Sequence, residues 1–245
     1  MAQQFYVSPE QIMKDRADFA RKGIARGRSV VVLSFAGGIA LVAENPSPTL
    51  HKIGEIYDRI GFAAVGKYNE FESLRQAGVR YADVRGYSYD RADVTARGLA
   101  SVYSQSLGTV FTAEQKPFEV ELAVVEVGPT QSADHIFRLT FDGSIADEPG
   151  YLGMGGEADL VQQRLADAWH PGAELAVALT WAVDALRAPR AAAATGAEAT
   201  DPLGPATLEV AVLERNVREV RGTHRAFRRL AAADVEGMLS ANGRE

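Results

Sequence analysis

The chain has no cysteine. Disulfides, thiolate nucleophiles and cysteine-ligated zinc are therefore excluded, and a reducing cytoplasm is the natural setting. Basic residues are in the minority: 26 Lys and Arg face 32 Asp and Glu, and a net charge of −6 lacks the basic footprint that nucleic-acid binding requires. No apolar run approaches the ~18 residues of a membrane span. The opening "MAQQFYVSPEQ" also lacks the basic-then-apolar order of a signal peptide. Histidine is sparse. His51, His135, His170 and His224 contain no pair at three- or four-residue spacing and no H-E-x-x-H, so no metal site is expected. A G-x-S-x-G nucleophile elbow is missing too. The expectation is a cytoplasmic globular protein without metal, cofactor, nucleic acid or membrane among its partners.

The residues that are present organise into one domain over 8–245. Ser8-Pro9-Glu10-Gln11 is a helix start: an N-cap serine, proline at the first helical position, an early acid, and glutamine at the capping-box position. Ser29–Phe35 and Ile39–Ala43 read as strands around the Gly37-Gly38 turn, with two more at His51–Asp58 and Ile60–Val65. A helix is predicted from about Lys67, and Asp90 is read as the cap of a second, long one. Strands return at Glu119–Val127, Ile136–Phe141 and Ser144–Ala146, the last two joined by a two-residue Asp142-Gly143 turn. Helices over Glu157–Trp169 and Glu174–Leu186 follow. Next come an alanine- and proline-rich stretch at 188–205 that reads as a disordered loop, strands at Leu208–Leu213 and Arg225–Leu230, and a terminal helix at Ala232–Leu239. Helix pairs separated by antiparallel strands indicate a layered α+β domain with helices on both faces of a two-sheet core.

Few residues stand out as chemistry. "YLGMGGEADL" (Tyr151–Leu160) is glycine-rich and enters a helix, but it lacks the Lys-Ser/Thr of a P-loop and the spacing of a dinucleotide site. It reads as a strand-to-helix turn. Glu72, Asp83 and Asp134 read as solvated surface acids. Lys52, in the half-buried strand "LHKIGEIY", is either surface decoration or a point charge that pairs with a carboxylate.

The segments "YVSPEQIMKDRADFARKGIARG", "AGGIALVAENPSPTLHKIGEIYDRIGFAAVGKYNEFESLR", "YADVRGYSYDRADV" and "FDGSIADEPG" together resemble actinobacterial proteasome α-subunits over nearly the whole chain. The resemblance implies a four-layer αββα sandwich of the N-terminal-nucleophile hydrolase type. In the related catalytic β-subunits, the first strand begins with a threonine whose own amine assists its attack on a peptide. Matching the Gly-Gly turns places that position at Arg28, with Ser29 next, so the resemblance implies a chain with no catalytic residue. The β-subunit's acid and lysine would fall near Glu44 and Lys52.

The same resemblance implies a ring of seven such subunits stacked on rings of β-subunits. Residues Ala2, Gln3, Gln4, Phe5, Tyr6 and Val7 would form an axial gate anchored by Ser8 and Pro9. Lys52, with the Gly66 backbone nearby, would receive the C-terminal tails of a hexameric proteasomal ATPase. Archaeal and eukaryotic α-subunits carry a Tyr-Asp pair ahead of this helix; here it is Tyr6-Val7, so their open-gate geometry does not transfer. The competing reading is a self-processed hydrolase that cuts before Ser29 and uses its hydroxyl.

Overall fold

A computed structural model describes residues 8–193, 203–217 and 225–242. Its elements in chain order are α1 (Pro9–Ala25), β1 (Val30–Phe35), β2 (Gly38–Glu44), β3 (Ile53–Tyr57), β4 (Ile60–Gly66), α2 (Tyr68–Ser88), α3 (Ala96–Ala113), β5 (Val120–Glu126), β6 (His135–Leu139), β7 (Ile145–Asp147), β8 (Tyr151–Met154), α4 (Ala158–Ala168), α5 (Leu175–Ala193), β9 (Leu208–Glu214), β10 (Phe227–Arg229) and α6 (Ala232–Asn242). The strands form two antiparallel five-stranded sheets, ordered β10-β9-β2-β1-β8 and β3-β4-β5-β6-β7.

Every residue of β1 and β2 is buried, although successive side chains point to opposite faces. Both faces of their sheet are covered. Val30, Val32, Ile39 and Leu41 point inward against Ala63, Val65, Ala123 and Val125 of the second sheet. Val31, Leu33, Ala40 and Val42 point outward onto Val161 and Leu165 of α4 and Leu179 and Val183 of α5. The second sheet repeats the arrangement, with Phe62 and Leu122 against Phe71 of α2 and Leu99 and Tyr103 of α3. The result is an αββα sandwich, as the element order and the resemblance both anticipated. Helix α1 lies outside these layers, with Ala20 and Ile24 inserted into the inter-sheet core. Among the described residues, no helix is long and apolar enough to cross a membrane.

Several local expectations are corrected. Asp90 caps a short 3-10 turn at Arg91–Asp93, its carboxylate accepting from the Ala92 amide, while Thr95 caps α3. Gln11 does not close a capping box: its amide reaches forward to Asp15 at 2.6 Å. The Asp142-Gly143 connection is a three-residue loop, because Thr140 N–H bonds to the Ser144 carbonyl at 3.1 Å and Gly143 takes φ +87°. The expected loop at 188–205 is helical as far as Ala193, with Pro189 inside α5, and Leu203 is again buried. Residues 194–202 lie outside the described set.

Candidate docking site around Lys52

Strand pairing brings six chain positions to one end of the sandwich. Ile53 pairs with Ala63 and the Ala64 amide donates to the Lys52 carbonyl at 3.0 Å, so Lys52 and Gly66 share one end of the β3–β4 pair. In the other sheet Val30 pairs with Ala43, and the Glu44 amide donates to the Ser29 carbonyl at 3.2 Å, which sets Arg28 and Ser29 beside Glu44. Glu209 pairs with Ala43 on the next strand. The predicted charge positions Glu44 and Lys52 are therefore neighbours, as are the would-be reactive positions Arg28 and Ser29.

The Lys52 side chain is half-buried, and its ammonium donates one hydrogen bond, at 2.6 Å, to the Arg28 carbonyl. An ammonium carries three donors, so two have no partner among the described residues. Arg28 keeps its guanidinium largely in solvent, 3.5 Å from Glu44. Burial pushes the Lys52 amine down from 10.5 to about 8. The Glu44 carboxylate pulls it back up, the Arg28 cation lowers it, and Glu209 raises it. The site is a partly desolvated ammonium held among two acids and a second cation.

Glu209 was not anticipated. It lies in an apolar strand on the same face as Ala211 and Leu213, and so points between the sheets. Its carboxylate accepts from Asn45 Nδ2 at 2.7 Å, from the Lys52 amide at 2.9 Å and from the Ile53 amide at 3.3 Å. Arg229 also donates to it, and His51 Nδ1 lies 3.2 Å away. The readable signal was an acid at an alternating position whose neighbours on that face are all apolar.

Gly66 has φ +111°, and a β-carbon there would overlap the Glu119 carbonyl. Only glycine fits, because the region is closed to L side chains and the backbones touch. Gly27 approaches the same turn: a β-carbon on it would stand 3.1 Å from the Gly66 amide nitrogen. The Gly155-Gly156 turn packs on the same chain segment, Gly155 (φ +118°) against Ser29 and Gly156 against the Ala25 carbonyl. It is a close-packed strand-to-helix turn, as read from the sequence.

The remaining candidates lie elsewhere. Ser8 caps α1 by accepting from the Gln11 amide at 3.2 Å, with Pro9 at the first helical position. They stand at the far end of α1, about 25 Å from its C-terminal end, the length of a 17-residue helix. The gate positions Ala2 to Val7, and His224, lie outside the described residues. Two of the acids read as solvated are paired. Glu72 is bonded by Arg75 at 2.7 and 2.8 Å, which holds its carboxyl below the usual range. Asp134 is buried between Arg215, at 2.7 and 3.0 Å, and the Ser34 hydroxyl, at 2.7 Å. The second serine of the first strand is thus spent on a structural bond. Ser29 Oγ has no hydrogen-bond partner among the described residues.

Comparison with known proteins bears on this arrangement. Residues 24–200 match the family model for proteasome subunits. A proteasome subunit alpha from Renibacterium salmoninarum is 70% identical over 243 residues, covering 99% of this chain and 98% of its own length. One from Paenarthrobacter aurescens is 69% identical over 240 residues, covering 98% and 99%. One from Kineococcus radiotolerans is 60% identical over 243 residues, covering 99% and 100%.

Proposed function

The chain belongs to the proteasome subunit family as an α-type subunit, and on that premise we propose that it is a non-catalytic ring subunit that gates and docks rather than cleaves. The observation that carries the docking role is the Lys52 ammonium: half-buried, bonded to the Arg28 carbonyl, and with two donors unpartnered among the described residues for an incoming carboxylate. A charge-assisted hydrogen bond there is worth roughly 1.5–3 kcal/mol. The ligand is the C-terminal carboxylate of an activator ATPase tail, and the Gly66 turn presents backbone close by because no side chain fits there. Residues 2–7 form the gate, Ser8 and Pro9 fix where it leaves α1, and the chain works in the cytoplasm in a seven-membered ring against rings of β-subunits.

The non-catalytic reading rests on Arg28 and Ser29. Both continue directly from α1, so neither carries the free amine that an N-terminal nucleophile uses as its base.

The test uses the assembled α/β particle with fluorogenic peptides. Deleting residues 2–7 is expected to speed basal peptide hydrolysis, and Lys52→Ala to weaken activator-stimulated degradation roughly 10- to 100-fold in affinity while leaving assembly intact. Unchanged basal rates in the deletion would remove the gate assignment, and full activator stimulation in Lys52→Ala would remove the docking site.

A further inference from the structure

We propose that Glu209 is the positioning residue of this site: it holds the chain at His51–Ile53 so that the Lys52 ammonium stands beside the Arg28 carbonyl with donors free for a ligand carboxylate. The inference rests on the reading of Lys52 as the docking residue and adds what places it there.

The argument begins with the sheet. Among the described residues, strand β3 is an edge strand, paired with β4 alone. The amides of Lys52 and Ile53, at its entrance, both donate to the Glu209 side chain, which reaches across from β9 in the other sheet. Arg229, on the neighbouring strand β10, completes the arrangement by donating to the Ile53 carbonyl at 2.6 Å and to Glu209 itself. One buried carboxylate and its arginine thus act as the missing neighbour strand. Asn45, bonded to the same carboxylate at 2.7 Å and to the Leu50 carbonyl at 2.7 Å, ties down the loop that leads into Lys52.

The same carboxylate is electrostatically coupled to the amine whose backbone it holds. The charged and titratable groups facing Lys52 are Glu44 at the end of β2, Arg28 ahead of β1, and Glu209 on β9, with His51 and Arg229 beyond Glu209. Loss of Glu209 removes both an anchor and a favourable charge. Loss of Arg229 frees the Glu209 charge to act on Lys52 undiminished. The two changes therefore move the amine in opposite directions, a pattern that simple loosening of the fold does not produce.

The experiment measures binding of a fluorescent octapeptide with a free C-terminal carboxylate to the assembled α/β particle across pH 6.5–9.5. The same peptide as its C-terminal amide is the control. Lys52→Ala is expected to abolish the preference for carboxylate over amide. Glu209→Gln is expected to weaken carboxylate binding about tenfold, the lower end of what losing an orienting partner costs at metal sites. It should also shift the alkaline loss of binding to lower pH, while Arg229→Met should shift that loss to higher pH. Wild-type affinity and pH profile in Glu209→Gln, alongside a lost preference in Lys52→Ala, would overturn the positioning role and leave the docking role standing. An unchanged preference in Lys52→Ala would overturn both. If Glu209→Gln fails to assemble, Arg229→Met decides: an unmoved pH profile refutes the proposal.

Discussion

In the proposed docking role, Lys52 makes opposite demands on folding and on carboxylate binding. Burial holds its amine near 8 in the folded chain against 10.5 when exposed. Between those values the unfolded chain keeps a proton that the folded chain has released, so stability rises with pH across that window and the contribution is flat on either side. Carboxylate binding needs the protonated form. It should be constant below about 8 and fall roughly tenfold per pH unit above it, so long as only the ammonium binds. Denaturation of wild type against Lys52→Met over pH 7–11 isolates the first effect; a wild-type curve that falls relative to the mutant would contradict it. Gly66 is a simpler case. An alanine there must hold a positive φ and push on the Glu119 carbonyl, costing about 2 kcal/mol. The melting midpoint of Gly66→Ala should drop by roughly 4–8 °C. Lys52 stood out as a candidate because it is a charge beside an apolar strand, whereas Gly66 was pointed to by the family resemblance alone. Glu209 was equally unusual, an acid among apolar residues, but nothing local reveals that four donors from elsewhere in the chain converge on it. Local pattern shows that a side chain faces inward; it does not show what waits on the other side.

Helix α1 shows the same limit one level up. Its start was readable from Ser8-Pro9, and its end from Gly27, two residues past Ala25. Its placement was not, because Ala20 and Ile24 enter a core made by strands far along the chain. Arg16 adds a tie to the Phe111 carbonyl at 2.6 Å, across 95 residues of sequence. The misassigned cap at Asp90 has a local cause: both Asp90 and Thr95 are good N-caps, and a 3-10 turn between them uses the first while the long helix uses the second. At the first turn of α1, Ser8→Ala removes the one side-chain bond that satisfies the Gln11 amide. The loss should be about 1 kcal/mol, which corresponds to roughly fivefold faster exchange of that amide hydrogen if the turn opens locally. Exchange at Leu99 in α3 should not change, since its amide is held by the Thr95 carbonyl in a separate element. Equal acceleration at both sites would show that the cap acts on the whole fold.

For the molecule as a whole, the layers leave one chemical question, which is whether the chain can cut itself before Ser29. One feature favours cutting: Lys52 Nζ lies 2.6 Å from the Arg28 carbonyl oxygen, the carbonyl of that very bond, and would polarise it. Two features oppose it. Ser29 Oγ has no hydrogen-bond partner among the described residues, so no group there takes its proton. The segment that would leave is built into the fold, with Ile24 and Ala20 in the inter-sheet core and the end of α1 pressed on the Gly155-Gly156 turn. Withdrawing the Ile24 side chain alone costs about 1.5–3 kcal/mol, and the cut would also open the cavity that α1 fills. Polarisation without a base does not cleave, and a product that unpacks its own core does not accumulate. The intact mass of the purified chain should therefore still include residues 1–28 after prolonged incubation, and Ser29→Ala should match wild type in mass and in melting temperature. Loss of the first 28 residues in wild type but not in Ser29→Ala would make the chain a self-processing hydrolase, with Lys52 as its electrophile and no docking role left to explain.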